Sequence, residues 1–444
     1  MPVISLKSFV LKTFSTGIRR AAGVFLSRSF NSFLALLFSL FAGKLLSVED
    51  HGLYGQAMAR IIVIQALTEV GLQYSLVRFL SPAIRDSNAS LITLITSASL
   101  RLKFYAFLIV GALTVILIPV YSSNSESISL ILPFVYPEGI LILWLIFIGG
   151  VGMSLISYLD ALLVSHQYYY RLSFWLPGVG IMRLGILGFI WYVQEGDISG
   201  AHVVYIFSIA PYLAVVTFFL FFSPSFFFKK SDGDVGHWLG KLFSYNLWIL
   251  AASFFSITSD WMEILLISDK RDSGLYNAAR MPMQGFLILL ATMQSILLPK
   301  FSVLASRNEY IHLFKRIYKY ILPLAVSFLP GLWIFSLFIP AWYGDEYLPS
   351  LQVLYILYPS FLLRMVFAPL GTALFALDQP RIITVEAGLR MFSGLVLNLF
   401  LIPRYGIIGA ALSSFISQFS GWIFLVYCYY LYFTTERFPM SRKL

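Results

Sequence analysis

The stretch DHGLYGQA at residues 50–57 returns as DSGLYNAA at residues 272–279, 222 positions further along a chain of 444. Five of these eight residues are identical, and the same offset pairs Leu76 with Leu298, Arg78 with Lys300 and Phe79 with Phe301. Each copy follows one long apolar run and opens another, so the second half of the chain restates the first. A duplicated set of hydrophobic segments is the pattern of proteins in which two related helical bundles enclose a pathway through a membrane.

Composition agrees. Hydrophobic residues make up 59% of the chain and charged residues 12%, against roughly 25% charged in an average soluble domain, and the mean hydropathy is +0.82. A spanning helix needs about 20 mostly apolar residues. The charge-poor runs predict twelve such spans: 22–43, 52–77, 104–121, 138–162, 173–193 and 201–222, then 243–267, 274–298, 320–341, 349–377, 382–402 and 406–433. Long uninterrupted runs fit helices, which satisfy their own backbone hydrogen bonds in lipid, and lack the two-residue alternation of barrel strands. The expected fold is therefore an all-α membrane protein. It has two six-helix bundles, 1–222 and 242–444, related by a parallel internal repeat and joined by a cytoplasmic linker at 223–241 that contains Pro224, Lys229, Lys230 and Gly233.

Orientation follows from the basic residues. With the N-terminus inside, Lys7, Lys12, Arg19, Arg20, Arg78, Arg85, Arg101, Lys103, Arg171, Lys229, Lys230 and Lys241 fall on the inner side. So do Lys300, Arg307, Lys315, Arg316, Lys319, Arg381, Arg437, Arg442 and Lys443, whereas the outer loops hold Lys44, Lys270, Arg271 and Arg404. The positive-inside rule then places both termini in the cytoplasm of a multi-pass protein. A reporter fused after Lys230 is expected to read as cytoplasmic; external activity from that fusion would exclude twelve spans in parallel repeats.

The net charge of +10 is explained by this topology, and nucleic acid is not an expected partner. Cys428 is the single cysteine, which excludes an internal disulfide, and the five histidines have no metal-binding spacing. No cofactor or metal is expected. Residues 1–21 lack the central apolar block of a signal peptide, so the first span is expected to be retained. Trp191, Tyr192, Trp342 and Tyr343 fall at expected outer boundaries and Tyr168, Tyr169 and Tyr170 at an inner one. Residues 87–103 read as a helix that starts in the inner interface before the third span, and residues 304–319 do the same before the ninth.

Charge inside the membrane carries the functional information. Arg28, Arg60, Arg183, Arg280, Arg364 and Arg390 lie within expected spans, with Glu69, Asp160, Asp260, Glu263 and Glu386. Ionisable groups at that depth cost roughly 2.5–3.5 kcal/mol each unless paired or hydrated. Arg60 comes eight residues after Gly52 and Arg280 six after Gly274, so each half sets an arginine near the start of its second helix, facing a shared cavity. A guanidinium stays charged and donates two parallel hydrogen bonds to a phosphate. Arg28 and Arg183 lie close enough to a boundary to snorkel instead. Glu386 and Arg390 have the spacing of a local ion pair. Asp260 and Glu263 share a helical face, which suits proton or cation binding or simple solvation near the helix end. Gly409, Ser413 and Ser417 on the last span, and Gly178, Gly180, Gly185 and Gly188 on the fifth, read as helix-packing positions.

The segments LLSVEDHGLY (45–54), GLQYSLVRFL (71–80) and LIPRYGIIGAALSSFISQF (401–419) resemble the bacterial polysaccharide transporter family. These are the Wzx-type O-antigen and capsule-repeat flippases of the multidrug/oligosaccharidyl-lipid/polysaccharide exporter superfamily. The resemblance implies two six-helix bundles around a cavity of alternating access. It implies transfer of an undecaprenyl-diphosphate-linked oligosaccharide across the inner, cytoplasmic membrane, with membrane lipid around it and a polysaccharide polymerase and chain-length regulator as possible partners in O-antigen or lipopolysaccharide synthesis. Related lipid II flippases look to arginines on the first, second and eighth helices for the diphosphate, positions held here by Arg28, Arg60 and Arg280. Arg364 and Arg183 are further substrate-binding candidates. Asp260, Glu263, Glu69 and Asp160 are candidates for ion coupling. A drug or cation exporter of the same superfamily is the alternative reading. A membrane polymerase is disfavoured because the longest outer loop, 121–137, carries no Lys, Arg or His.

Overall fold

The computed structural model describes residues 6–123, 140–222 and 233–434, apart from 303, 305 and 378. Among the described residues there are helices and no strands. The first lobe contains α1 (Leu6–Leu45), α2 (Val48–Glu69), α3 (Leu72–Arg85), α4 (Ala89–Ser123), α5 (Ile140–Ser165), α6 (Tyr169–Val193) and α7 (Gly200–Phe222). The second contains α8 (Val235–Leu266), α9 (Lys270–Arg280), α10 (Gln284–Ser302), α11 (Arg307–Ser327), α12 (Pro330–Tyr343), α13 (Ser350–Ala376) and α14 (Pro380–Thr434).

Among the described residues, nine helical stretches are long and apolar enough to cross a membrane, α14 counting once. Its chain reverses at Gly406, where φ is 53° shortly after Pro403, so α14 supplies both the eleventh and twelfth spans. The expected second and eighth spans are the two outside that set, and both are broken. Val70 and Gly71 adopt left-handed φ values of 51° and 64° between α2 and α3, and a 3-10 turn at Met281–Met283 separates α9 from α10. These broken helices carry the repeated octapeptide and the two arginines of interest. Interrupted helices in corresponding places of two halves mark the working region of many transporters.

The repeat extends to helix initiation. Ser47 Oγ accepts a hydrogen bond from the backbone N–H of Asp50 at 3.1 Å, and Asp269 Oδ1 accepts one from Asp272 at 2.8 Å. Positions 47 and 269 are equivalent by the same offset, so both second helices start on a side-chain cap. The capped ends then cross. A Cβ on Gly52 would strike the carbonyl of Lys270 and one on Gly274 would strike the carbonyl of Val48, while Gly55 lies against the side chain of Asn277. Each residue thus meets its own equivalent or that residue's neighbours across a local two-fold axis. The absence of side chains at 52 and 274 lets the two backbones approach.

The lobes also interlock through their cores. Val48, Ala59 and Val63 of α2 belong to the apolar cluster of the second lobe around Tyr276 and Tyr358. Val235 and Leu242 of α8 belong to that of the first lobe around Leu76 and Trp175.

Residues 87–103 open α4, which starts at Ala89 and runs unbroken into the third span. Three sequence expectations change. Lys103, expected in the inner interface, is buried in the first lobe with its Nζ donating to Ser154 Oγ at 2.7 Å, and this burial lets the span begin earlier. Helix α8 starts at Val235 on the Asp234 cap, inside the stretch expected as linker; residues 223–232 and most of the 121–137 loop lie outside the described residues. Of the glycines on α6, Gly180 packs on Leu34 of α1, but Gly178, Gly185 and Gly188 have nothing within 4 Å. On α14 the expected packing is present, with Ser413 Oγ donating to the Gly394 carbonyl at 3.1 Å. Trp342 is also recruited to packing, donating from Nε1 to the Leu40 carbonyl at 3.0 Å.

Candidate functional site

Helices α8, α9, α10, α13 and α14 of the second lobe surround a cavity of about 270 Å³, with Ile62 of α2 in its wall. Its polar lining is Arg280, Arg364, Asp260, Gln284, Gln418 and three serines, and its aromatic lining is Trp261, Tyr276 and Phe361. The charges are organised around Asp260. Arg364 grips this carboxylate with both terminal nitrogens, Nη1 to Oδ1 at 3.0 Å and Nη2 to Oδ2 at 2.8 Å. Arg390 approaches it at 3.6 Å, lies 3.8 Å from Glu386 one turn earlier, and donates to Ser256 Oγ at 2.8 Å. The Glu386–Arg390 pair read from the sequence is therefore part of a wider network.

Arg280 differs from these two. Its guanidinium lies over the ring of Trp261, 3.7 Å from the centroid, and its Nη1 is buried without a hydrogen-bond partner. On α14, the Oε1 of Gln418, another lining residue, is likewise buried and unpartnered. Unfilled buried donors and acceptors are costly, and here one of each belongs to residues lining the same cavity.

The remaining candidates are distributed elsewhere. Arg60 is 4% exposed, and its Nη1 donates to the Gln56 carbonyl of its own helix at 3.0 Å; it is not among the residues lining the cavity. The pairing of Arg60 with Arg280 in one wall is thus not what the fold builds, because their different distances from Gly52 and Gly274 put them on different helical faces. Arg28 is half exposed and bound to Asp160 at 2.7 Å. Arg183 is enclosed in the first lobe, with Nη2 at 2.7 Å from Met153 Sδ and its guanidinium 4.8 Å from the Phe207 ring. Glu263 is 2% exposed, which removes the reading as a solvated helix end. In the first lobe, Glu69 Oε1 and Asp160 Oδ1 are buried without partners, and Lys103 and Asp160 each act electrostatically on Glu69.

Sequence reasoning did not single out Trp261, Gln284, Gln418 or Lys103. Gln418 had a signal of its own, an amide within an apolar span; Trp261 had only its place beside Asp260.

The fold is thus two interlocked helical lobes, the second of which encloses a charged, aromatic cavity. No protein-family model matches the chain. The probable low-salt glycan biosynthesis flippase Agl15 of Haloferax volcanii is 27% identical over 184 residues, 40% of this chain and 39% of that relative. The chain thus spans about two fifths of the length of the curated relative it matches. Among solved structures, lipid II flippase MurJ in an inward closed conformation superposes with a TM-score of 0.64 at 14% identity, covering 91% of this chain and 87% of that one. A MATE transporter in complex with MaD5 gives 0.60 at 12% identity over 95% and 96%. A transporter of the MOP superfamily from Pyrococcus furiosus gives 0.56 at 12% identity over 93% and 95%. The chain shares the two-lobe helical fold of these transporters, the fold that the resemblance read from the sequence implied.

Proposed function

We propose that this chain is a flippase for a polyprenyl-diphosphate-linked oligosaccharide, working by alternating access in a bacterial cytoplasmic membrane with both termini inside. The observation that carries the reading is Arg280, whose guanidinium lies over Trp261 in the lining of a polar and aromatic cavity. A diphosphate suits that guanidinium, hydroxyls suit Gln418 and the serines, and sugar faces suit Trp261. A sugar chain with its charged linkage cannot cross hydrocarbon unaided, whereas the lipid tail can remain in the bilayer. The similarity to a glycan biosynthesis flippase supports the same class of cargo. Export of a cationic drug is disfavoured because the cavity's acid, Asp260, is already bound by Arg364.

Ion coupling is assigned to the first lobe. There Glu69 and Asp160 retain buried carboxylate oxygens without partners, whereas both oxygens of Asp260 are engaged by arginine.

Arg280→Ala is expected to lower polysaccharide display roughly tenfold or more in a strain lacking its own flippase, the range for losing a charged hydrogen bond of about 1.5–3 kcal/mol. Arg280→Lys should recover only part, since it keeps the charge and loses the fork. Membrane abundance is measured alongside. Full display by Arg280→Ala at normal abundance would remove this residue from the site.

A further inference from the structure

His51 precedes Gly52 in the first turn of α2 and is 0% exposed. Its ring is held by three phenols: Tyr54 of its own helix at 6.2 Å between centroids, Tyr343 at the end of α12 at 5.6 Å, and Tyr347 at 5.9 Å. Tyr347 lies in the 3-10 turn Asp345–Tyr347 that follows α12, so an imidazole of the first lobe is plugged into a tyrosine pocket of the second. Gly43 of α1 closes the fourth side; a Cβ there would come within 3.1 Å of the imidazole and 2.7 Å of the Tyr343 ring. The plug adjoins the Gly52/Gly274 crossing, at the end of the molecule read above as outer.

The hydrogen bonding is that of a neutral ring. Nδ1 lies 3.3 Å from the Tyr347 hydroxyl, while Nε2 is buried with no partner. An imidazolium would present two N–H donors and need an acceptor at each. The charged groups nearby are committed elsewhere or stand off. Lys44 of α1 sits over the Trp342 ring at 4.4 Å. Asp50 of α2 accepts from the Gly200 N–H at 2.8 Å and from Ser47 Oγ at 2.9 Å. Glu49, Asp50 and Glu346 act on Tyr347, and Tyr54 and Tyr347 act on Tyr343. Desolvation alone governs His51 and pushes its pKa down to about 4.

We propose that His51 is the latch of the outer gate: the two lobes close over it only while its ring is neutral, so that acid drives this end of the protein open. The sign follows from linkage. Parting the lobes returns the ring to water, where it binds a proton below about pH 6.5; the shut pocket binds none until about pH 4. The open state therefore holds more protons between those values, and closure weakens steadily as pH falls through that window. Above pH 6.5 the latch has no effect on the balance. The device goes beyond the flippase reading and needs no cargo.

The test uses the full-length protein with Cys428→Ser, Gln194→Cys on the first lobe and Ser268→Cys on the second, spin-labelled in lipid nanodiscs. Gln194 and Ser268 are exposed and lie near the same end as His51. Between pH 7.5 and 5.5 the ratio of long to short inter-label distances is expected to rise about tenfold, the limit for one histidine moving between these environments. His51→Gln, which keeps a hydrogen-bonding side chain but cannot titrate, should abolish that rise, with His51→Asn as the second variant if the first accumulates poorly. An unchanged ratio in the parent protein, or an equal rise in both neutral variants, would overturn the latch. Loss of the flippase reading would show in cargo export and leave this ratio untouched.

Discussion

Arg364→Ala is expected to destabilise the protein by about 3–5 kcal/mol, because it strips a partly buried carboxylate of its bidentate partner. The Arg364 and Asp260 side chains are 24% and 23% exposed, and the pair bridges α13 and α8. With Arg364 gone, Arg390 at 3.6 Å is left to hold Asp260 alone, while it is also tied to Glu386 and Ser256. The measurement is the unfolding midpoint in detergent together with membrane abundance. Asp260→Asn in the same chain should return most of the loss, since the uncompensated charge is then absent. Equal midpoints for the parent and Arg364→Ala would show that the pair carries no stability.

The second large effect falls on the glycine crossing. Gly52→Ala and Gly274→Ala each push a methyl group into a backbone carbonyl of the opposing lobe, and a carbonyl in a helix start cannot move aside as a flexible side chain can. Overpacking of this kind costs about 1–3 kcal/mol, which is roughly 5- to 150-fold in population. That cost applies only where α2 and α9 touch, so it disfavours the state with this end shut and leaves each lobe intact. The spin-label pair at 194 and 268 should report longer distances at pH 7.5. Cargo export should fall, because a cycle needs both states accessible. Short distances retained in the Gly52→Ala/Gly274→Ala double variant would show that the crossing is not a gate.

The two glycines also mark how much of the molecule was readable beforehand. The repeat exposed them as equivalent, and composition gave the spans, because twenty apolar residues have one stable arrangement in lipid. That the equivalents meet each other is a property of the local two-fold axis, which a repeat in one dimension does not locate. Lys103 shows the limit from the other side. A lysine is read as an interfacial residue, and the presence of Ser154, the rings of Phe107 and Tyr158 and the Glu69 carboxylate around it makes its burial in a span tolerable.

The candidate site divides in the same way. Sequence alone determined that arginines and acids lie inside the membrane and therefore need partners or water, since transfer energies depend on residue type and depth. Which arginine is matched and which is left with an empty donor was decided by tertiary structure. Asp260 lies on α8, Arg364 on α13 and Arg280 on α9. Their distances of approach depend on helix rotation about axes that the hydrophobic pattern leaves free, because spans apolar on every face do not encode which side turns inward.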